Sequence, residues 1–211
     1  MAPIMKQALL ILGFCLTVSG CRTDHSRNFV IDLPNLETQI ELPTPTEFDT
    51  LLTWKRSSDY TCGDQQYIRV QNSNDAFELE KGWVHVYQPK NINQMTISYP
   101  YHDDCHEIPI ERQSLIKWIE SQIKSEKGIS FGFNLNTADS VEIENHKFAY
   151  ITYEQRDHKI QERTIRKIIY MTFLNNKMVE FEFASNIPDD TTFFKTTKNR
   201  FEKMKIKIAT D

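Results

Sequence analysis

Glycine is scarce in this chain, with six among 211 residues, and no glycine-rich stretch is present. A loop that cradles phosphate with backbone amides is therefore excluded. Basic residues do not outnumber acidic ones: 25 Lys and Arg face 29 Asp and Glu, for a formal charge of −4. That balance argues against a nucleic-acid partner, which calls for a clustered basic surface. The nearest approach is Lys195, Lys198, Arg200, Lys203, Lys205 and Lys207. These read as a solvated helix face whose charge complements the helix dipole. Long apolar runs are also missing; the run over residues 8–18 is too short to span a bilayer comfortably. Cysteine is limited to Cys15, Cys21, Cys62 and Cys105.

What is present begins with an export signal. Lys6 precedes the apolar run, and small residues then lead into a cysteine. The tetrapeptide Val18-Ser19-Gly20-Cys21 resembles the lipobox of bacterial lipoproteins. The resemblance implies that Cys21 carries lipid and becomes the mature N-terminus, a membrane attachment made stable by several acyl chains. Met5-Lys6 is a more usual opening than Met1-Ala2-Pro3-Ile4, so Met5 is a candidate start. Arg22, rather than an aspartate, follows the cysteine; by the sorting rule of enteric bacteria this favours the outer membrane, facing the periplasm. Residues 1–20 are read as signal peptide, 21–35 as lipidated tether and 36–211 as a single domain. Losing Lys6 with the signal leaves 24 basic and 29 acidic residues and a formal charge of −5. Cys15 leaves too, and two thiols remain in an oxidising compartment, so Cys62 and Cys105 are expected to pair. Closing that loop would stabilise the fold by about 4 kcal/mol.

Hydrophobic patterning predicts strands over 28–33, 51–55, 66–71, 77–80, 83–88 and 94–99, with Pro34, Pro43 and Pro45 punctuating the early part. An amphipathic helix is expected over 110–127, where Leu115, Ile119 and Ile123 recur every four residues between Pro109 and Gly128. Strands over 141–144 and 148–154 flank Asn145-His146-Lys147. Residues 163–174 and 177–185 form a hairpin across Asn175-Asn176, placing Tyr170 opposite Phe181 and Ile168 opposite Phe183. Both faces of that hairpin carry apolar residues, so a sheet at least partly covered on both faces follows. Pro188-Asp189-Asp190 caps a helix over 191–204, with Phe194, Phe201 and Met204 as its buried stripe and Phe193 at the edge, and residues 205–209 return as an edge strand. The expected fold class is α+β, an antiparallel sheet with packed amphipathic helices.

The long-strand hairpin ending Val179-Glu180-Phe181-Glu182-Phe183, the Phe-rich helix and the closing Met204-Lys205-Ile206-Lys207-Ile208 resemble the PsbP/DcrB-like fold. Members are mostly non-enzymatic envelope or thylakoid proteins, and some secretion-system immunity lipoproteins look similar. The resemblance implies no cofactor.

Candidate chemistry is sparse. Gly128-Ile129-Ser130-Phe131-Gly132 matches the G-x-S-x-G string of serine hydrolases, but that chemistry needs a strand-to-helix turn. A helix precedes the motif here, and Gly128 as a helix C-cap explains it better. His102 and His106 could ligate zinc, with Cys105 or Cys62 as a third ligand, although a disulfide and thiolate ligation exclude each other. Trp54, Trp83 and Trp118 are read as core residues rather than a ligand groove. Glu78/Glu80, Glu142/Glu144 and Glu180/Glu182 each share a strand face and could meet a basic partner. The sequence thus predicts a non-enzymatic, lipid-anchored envelope protein that binds another protein, as an immunity protein neutralising a periplasmic toxin would. A periplasmic small-ligand or metal-binding lipoprotein is the other reading.

Overall fold

Asn175 and Asn176 both take positive φ, 46° and 61°. This two-residue turn matches the twist of the strands it joins. It closes β10 (Thr164–Leu174) onto β11 (Lys177–Ser185), with Tyr170 opposite Phe181 and Ile168 opposite Phe183, as expected. The turn before it falls one residue earlier than expected, at Glu144 and Asn145 (φ 49° and 65°), and joins β8 (Asn134–Ile143) to β9 (His146–Arg156). The computed structural model describes residues 26–57, 64–74, 78–80, 83–85, 92–102, 134–156, 164–187 and 191–208.

Seven strands form the larger antiparallel sheet, in the order β3 (Thr50–Arg56), β4 (Gln65–Gln71), β7 (Asn93–Pro100), β11, β10, β9, β8. A second sheet holds β1 (Ser26–Leu33), β2 (Thr38–Pro45) and the last strand, β12 (Lys205–Ile208), with β2 in the middle. A small hairpin, β5 (Glu78–Glu80) with β6 (Trp83–His85), pairs Glu80 with Trp83. The described helix, α1 (Phe193–Phe201), sits between β11 and β12 in the chain.

Alternation in β2 explains how the two sheets meet. Thr38, Ile40, Leu42 and Thr44 are buried while the residues between them are half-exposed. The inward set joins Ile31, Leu33 and Leu36 against one face of the larger sheet, where Ile68, Val70, Met95, Ile97, Phe148, Tyr170, Phe181 and Phe183 form the main core. From α1, Phe193 and Phe201 close that core, with Met204 just beyond the helix. Phe194 is only partly buried, so Phe193 and Phe194 exchange the places the helical stripe predicted. A second cluster, Ala149, Ile151, Tyr153, Ile169 and Met171, is buried on the opposite face. The sheet is thus covered on both faces over β9 and β10.

The α+β class with packed amphipathic helices is overturned. Among the described residues the chain is mostly strand, with one nine-residue helix and a three-residue 3-10 turn, Pro34–Leu36. The physical reason lies in residues 26–45. These form an eight-pair hairpin, β1 with β2, which lies over the main core. Pro43 and Pro45 are tolerated in β2 because β12 pairs only with Thr38 to Glu41. Beyond Glu41 a prolyl nitrogen leaves no β12 ladder bond unmade. The helix expected over 110–127 lies outside the described residues.

Bonds between the sheets at either end define two poles: the Asp49 N–H, in the link from β2 to β3, donates to the Gln71 carbonyl at one, and Asn175 donates to the Leu36 carbonyl at the other. Ser26, Pro45, Thr50, Gln71, Asn93 and Ser185 lie at one, as the registers Ser26↔Pro45, Thr50↔Gln71, Gln71↔Gln94 and Ser185↔Asn93 require. Leu33, Arg56, Pro100 and Lys177 lie at the other.

Candidate functional site

The site is built at the pole opposite Ser26, where four segments meet. Pro100 ends β7 opposite Gln65. The chain then adds one further bond, the Tyr101 N–H donating to the Asp64 carbonyl at 3.0 Å. That bond sets His102 beside Asp64, with Nε2 and Oδ2 3.0 Å apart. Both side chains are partly open to solvent, 33% and 24% exposed. The Tyr101 ring meets the imidazole edge-on at 5.4 Å, and the Lys55 ammonium stands 3.2 Å over the Tyr101 ring. A cation held over an aromatic face is stabilised by the ring quadrupole.

The 3-10 turn completes the pole. Asn35 donates its side-chain amide to the Tyr101 carbonyl. Its own carbonyl accepts from Lys177 Nζ at 3.0 Å, and Lys177 is only 2% exposed. Asn175 donates to the Leu36 carbonyl, which also accepts the Thr38 hydroxyl at 2.7 Å. The tip of the β10–β11 hairpin therefore pins the turn, and the turn pins the His102 segment. Beside it lies an open depression of about 350 Å³ between Asp32, Pro34, Glu37, Gln39 and Lys207.

This arrangement offers two cationic or donor groups, Lys55 and His102, next to one carboxylate. Such a set can recognise a polar surface. It supplies two zinc ligands at most, and no group of three or more metal ligands occurs among the described residues. Cys21, Cys62, Cys105 and His106 lie outside the described residues, as do Ser130 and Trp118.

A second polar strip crosses the other face of the larger sheet. Trp54 stacks on Tyr67 (5.2 Å, 5° between planes) and Arg69 lies 5.1 Å over Trp54. Arg69 Nε donates to the Thr96 hydroxyl at 3.1 Å, while its Nη1 is buried without a hydrogen-bond partner. Burial lowers the Arg69 pKa against the opposing field of Glu182. Lys167 bonds Glu182 at 2.8 Å. Burial acts to lower its pKa, but the charges of Glu182, Tyr153 and Glu180 outweigh that and raise it. Three expectations change. Trp54 belongs to neither core cluster and lies half-buried on the edge strand β3. Glu180 and Glu182 are not a free acidic face, because Glu182 is ion-paired and Glu180 also has a partner. Glu144 lies in a turn rather than beside Glu142 on a strand.

His102 was legible as a candidate from its histidine-rich neighbourhood. Asp64, Lys55, Asn35 and Lys177 carried no signal, since the contacts that gather them span 38 to 142 residues.

No protein-family model matches the chain, and no curated protein matches it. Solved structures do. The solution structure of cyanobacterial PsbP (CyanoP) from Synechocystis sp. PCC 6803 aligns with a TM-score of 0.50 at 10% identity, covering 93% of this chain and 99% of that one. LpqN of Mycobacterium tuberculosis, involved in cell envelope biogenesis, gives 0.42 at 12% identity over 88% and 93%. A Pseudomonas aeruginosa protein of unknown function, PA94, gives 0.37 at 10% identity over 84% and 95%. The first of these shows a fold similar to that of CyanoP, and the fold alone.

Proposed function

We propose that this chain is a lipid-anchored protein of the bacterial cell envelope that acts by binding another protein and catalyses no reaction itself. The observation that carries the reading is Val18-Ser19-Gly20-Cys21 standing five residues ahead of the first folded strand. An apolar run with that ending is an export and acylation signal rather than a span. The polar cluster of Lys55, Asp64 and His102 supports a docking role, because partly exposed charges of both signs give a partner register and specificity. Within this reading the specific partner we propose is a periplasmic toxin, the chain serving as its immunity protein on the outer membrane.

Two experiments test it. Metabolic labelling with an alkyne fatty acid is expected to mark the wild-type chain and not Cys21→Ser. A photo-crosslinking residue at His102, in intact cells, is expected to yield one defined adduct that the charge reversal Lys55→Glu removes. Absence of any adduct refutes the binding role.

The metal-binding reading draws on the 3.0 Å approach of His102 and Asp64. Zinc titration of the non-reduced protein discriminates. A stoichiometric site lost in His102→Ala favours it, and unchanged metal content in that variant removes it.

A further inference from the structure

We infer that the Ser26 pole of the domain lies against the bilayer and that the His102 pole faces away from it; the inference rests on the lipid anchor at Cys21. The argument is one of chain length and strand direction. Four residues separate Cys21 from Ser26. At about 3.8 Å per Cα step the five steps reach no more than roughly 19 Å, even when fully drawn out. From Ser26, β1 runs eight residues away from its tether, a rise of about 25 Å. So short a lead cannot bring Leu33 and the 3-10 turn to the membrane surface while Ser26 points outward.

The constraint applies to the whole domain because the Ser26 pole is tied across both sheets. The Asp49 carboxylate, in the link from β2 to β3, accepts the Ser73 N–H at 2.6 Å and the Ser73 hydroxyl at 2.8 Å. Asn93 donates to Glu47 at 3.4 Å. The Asn186 side-chain oxygen accepts the Ile92 N–H at 2.6 Å. The small sheet cannot turn toward the membrane without carrying the large one with it. This pole presents Ser73, Asn74 and Arg27 to solvent, together with Ile187, which is 39% exposed and whose carbonyl accepts from Arg166. Glu47 and Asp49 are exposed at the same pole, where Asn93 and Ser73 bond them, and Leu51 is 39% exposed beside Thr50; arginine, neutral polar and scattered apolar side chains suit a headgroup layer. Lys55, Asp64, His102 and the open depression are left at the far pole, where a partner can approach.

Energy transfer to the membrane tests this. A donor dye is coupled through p-acetylphenylalanine at Asn74 or, separately, at Lys147, both exposed and at opposite poles. Each protein is recovered acylated from membranes, checked by intact mass, and placed in phosphatidylethanolamine–phosphatidylglycerol vesicles with acceptor-labelled headgroups. The Asn74 donor is expected to transfer more strongly, corresponding to a height difference of about 20 Å. A twelve-residue Gly/Ser insertion after His25 is expected to abolish the difference while leaving the protein bound. Equal transfer from both sites, stronger transfer from Lys147, or a difference that survives the insertion overturns the orientation. Absence of lipid in the intact mass overturns the anchor, and the orientation with it.

Discussion

Phe201 has aromatic neighbours on four sides: Tyr170 at 3.9 Å and Phe148, Phe181 and Phe183 between 5.2 and 5.6 Å. It is fully buried, so Phe201→Ala is expected to destabilise the domain by about 3–5 kcal/mol, read from urea unfolding. Tyr170 beside it has the opposite character. Its hydroxyl is buried with no hydrogen-bond partner, and burial drives its pKa well up. Tyr170→Phe removes an unsatisfied group and is expected to leave stability unchanged or raise it by about 1 kcal/mol in thermal melts. A clear loss would mean the hydroxyl has a partner. Asp49 gives a pH signature. Hydrogen bonds from the Ser73 side chain and backbone lower its pKa below the usual 3.8. A depressed carboxyl adds stability that is present above its unfolded value and lost as pH falls through the folded one. Urea midpoints between pH 2 and 6 are expected to fall less steeply below pH 4 in Asp49→Asn than in wild type.

The turns of the C-terminal half show which elements could be read in advance. Asn175-Asn176 is a local signal, since asparagine tolerates positive φ, and it fixed the β10–β11 register correctly. Asn176→Gly is expected to be neutral or mildly stabilising, whereas Asn176→Val is expected to cost more than about 1 kcal/mol because a β-branched residue resists that φ. Lys177 had no such signal. Its buried amine reaches Asn35 across 142 residues, and nothing local announces that pairing. The same holds for β12 on β2, visible beforehand only as a short edge strand without a partner. Prolines 43 and 45 hid a strand because their usual meaning is interruption, and the open flank of β2 that accommodates them is a tertiary fact. Lys177→Met is expected to loosen the 3-10 turn, and limited proteolysis should then cut near residues 34–37 first.

At the scale of the molecule, the smaller sheet joins the beginning and the end of the described chain, since β12 pairs with β2. Glu41 holds Lys207 at 2.8 Å across that seam, and Ile206 packs on the main core. Deleting residues 205–211 is expected to cost about 1–2 kcal/mol, the worth of one partly buried isoleucine, and to lower the urea midpoint accordingly. Pairings of this span also predict slow folding relative to helical domains of similar length. The eight-pair ladder of β1 on β2 has a mechanical consequence as well. If the chain is anchored at Cys21, as proposed, tension between the membrane and a partner at the far pole would enter β1 along its own axis. That direction loads the eight paired positions together, in shear, instead of peeling them apart one after another. A domain held by this end would lean into a pull and keep its fold.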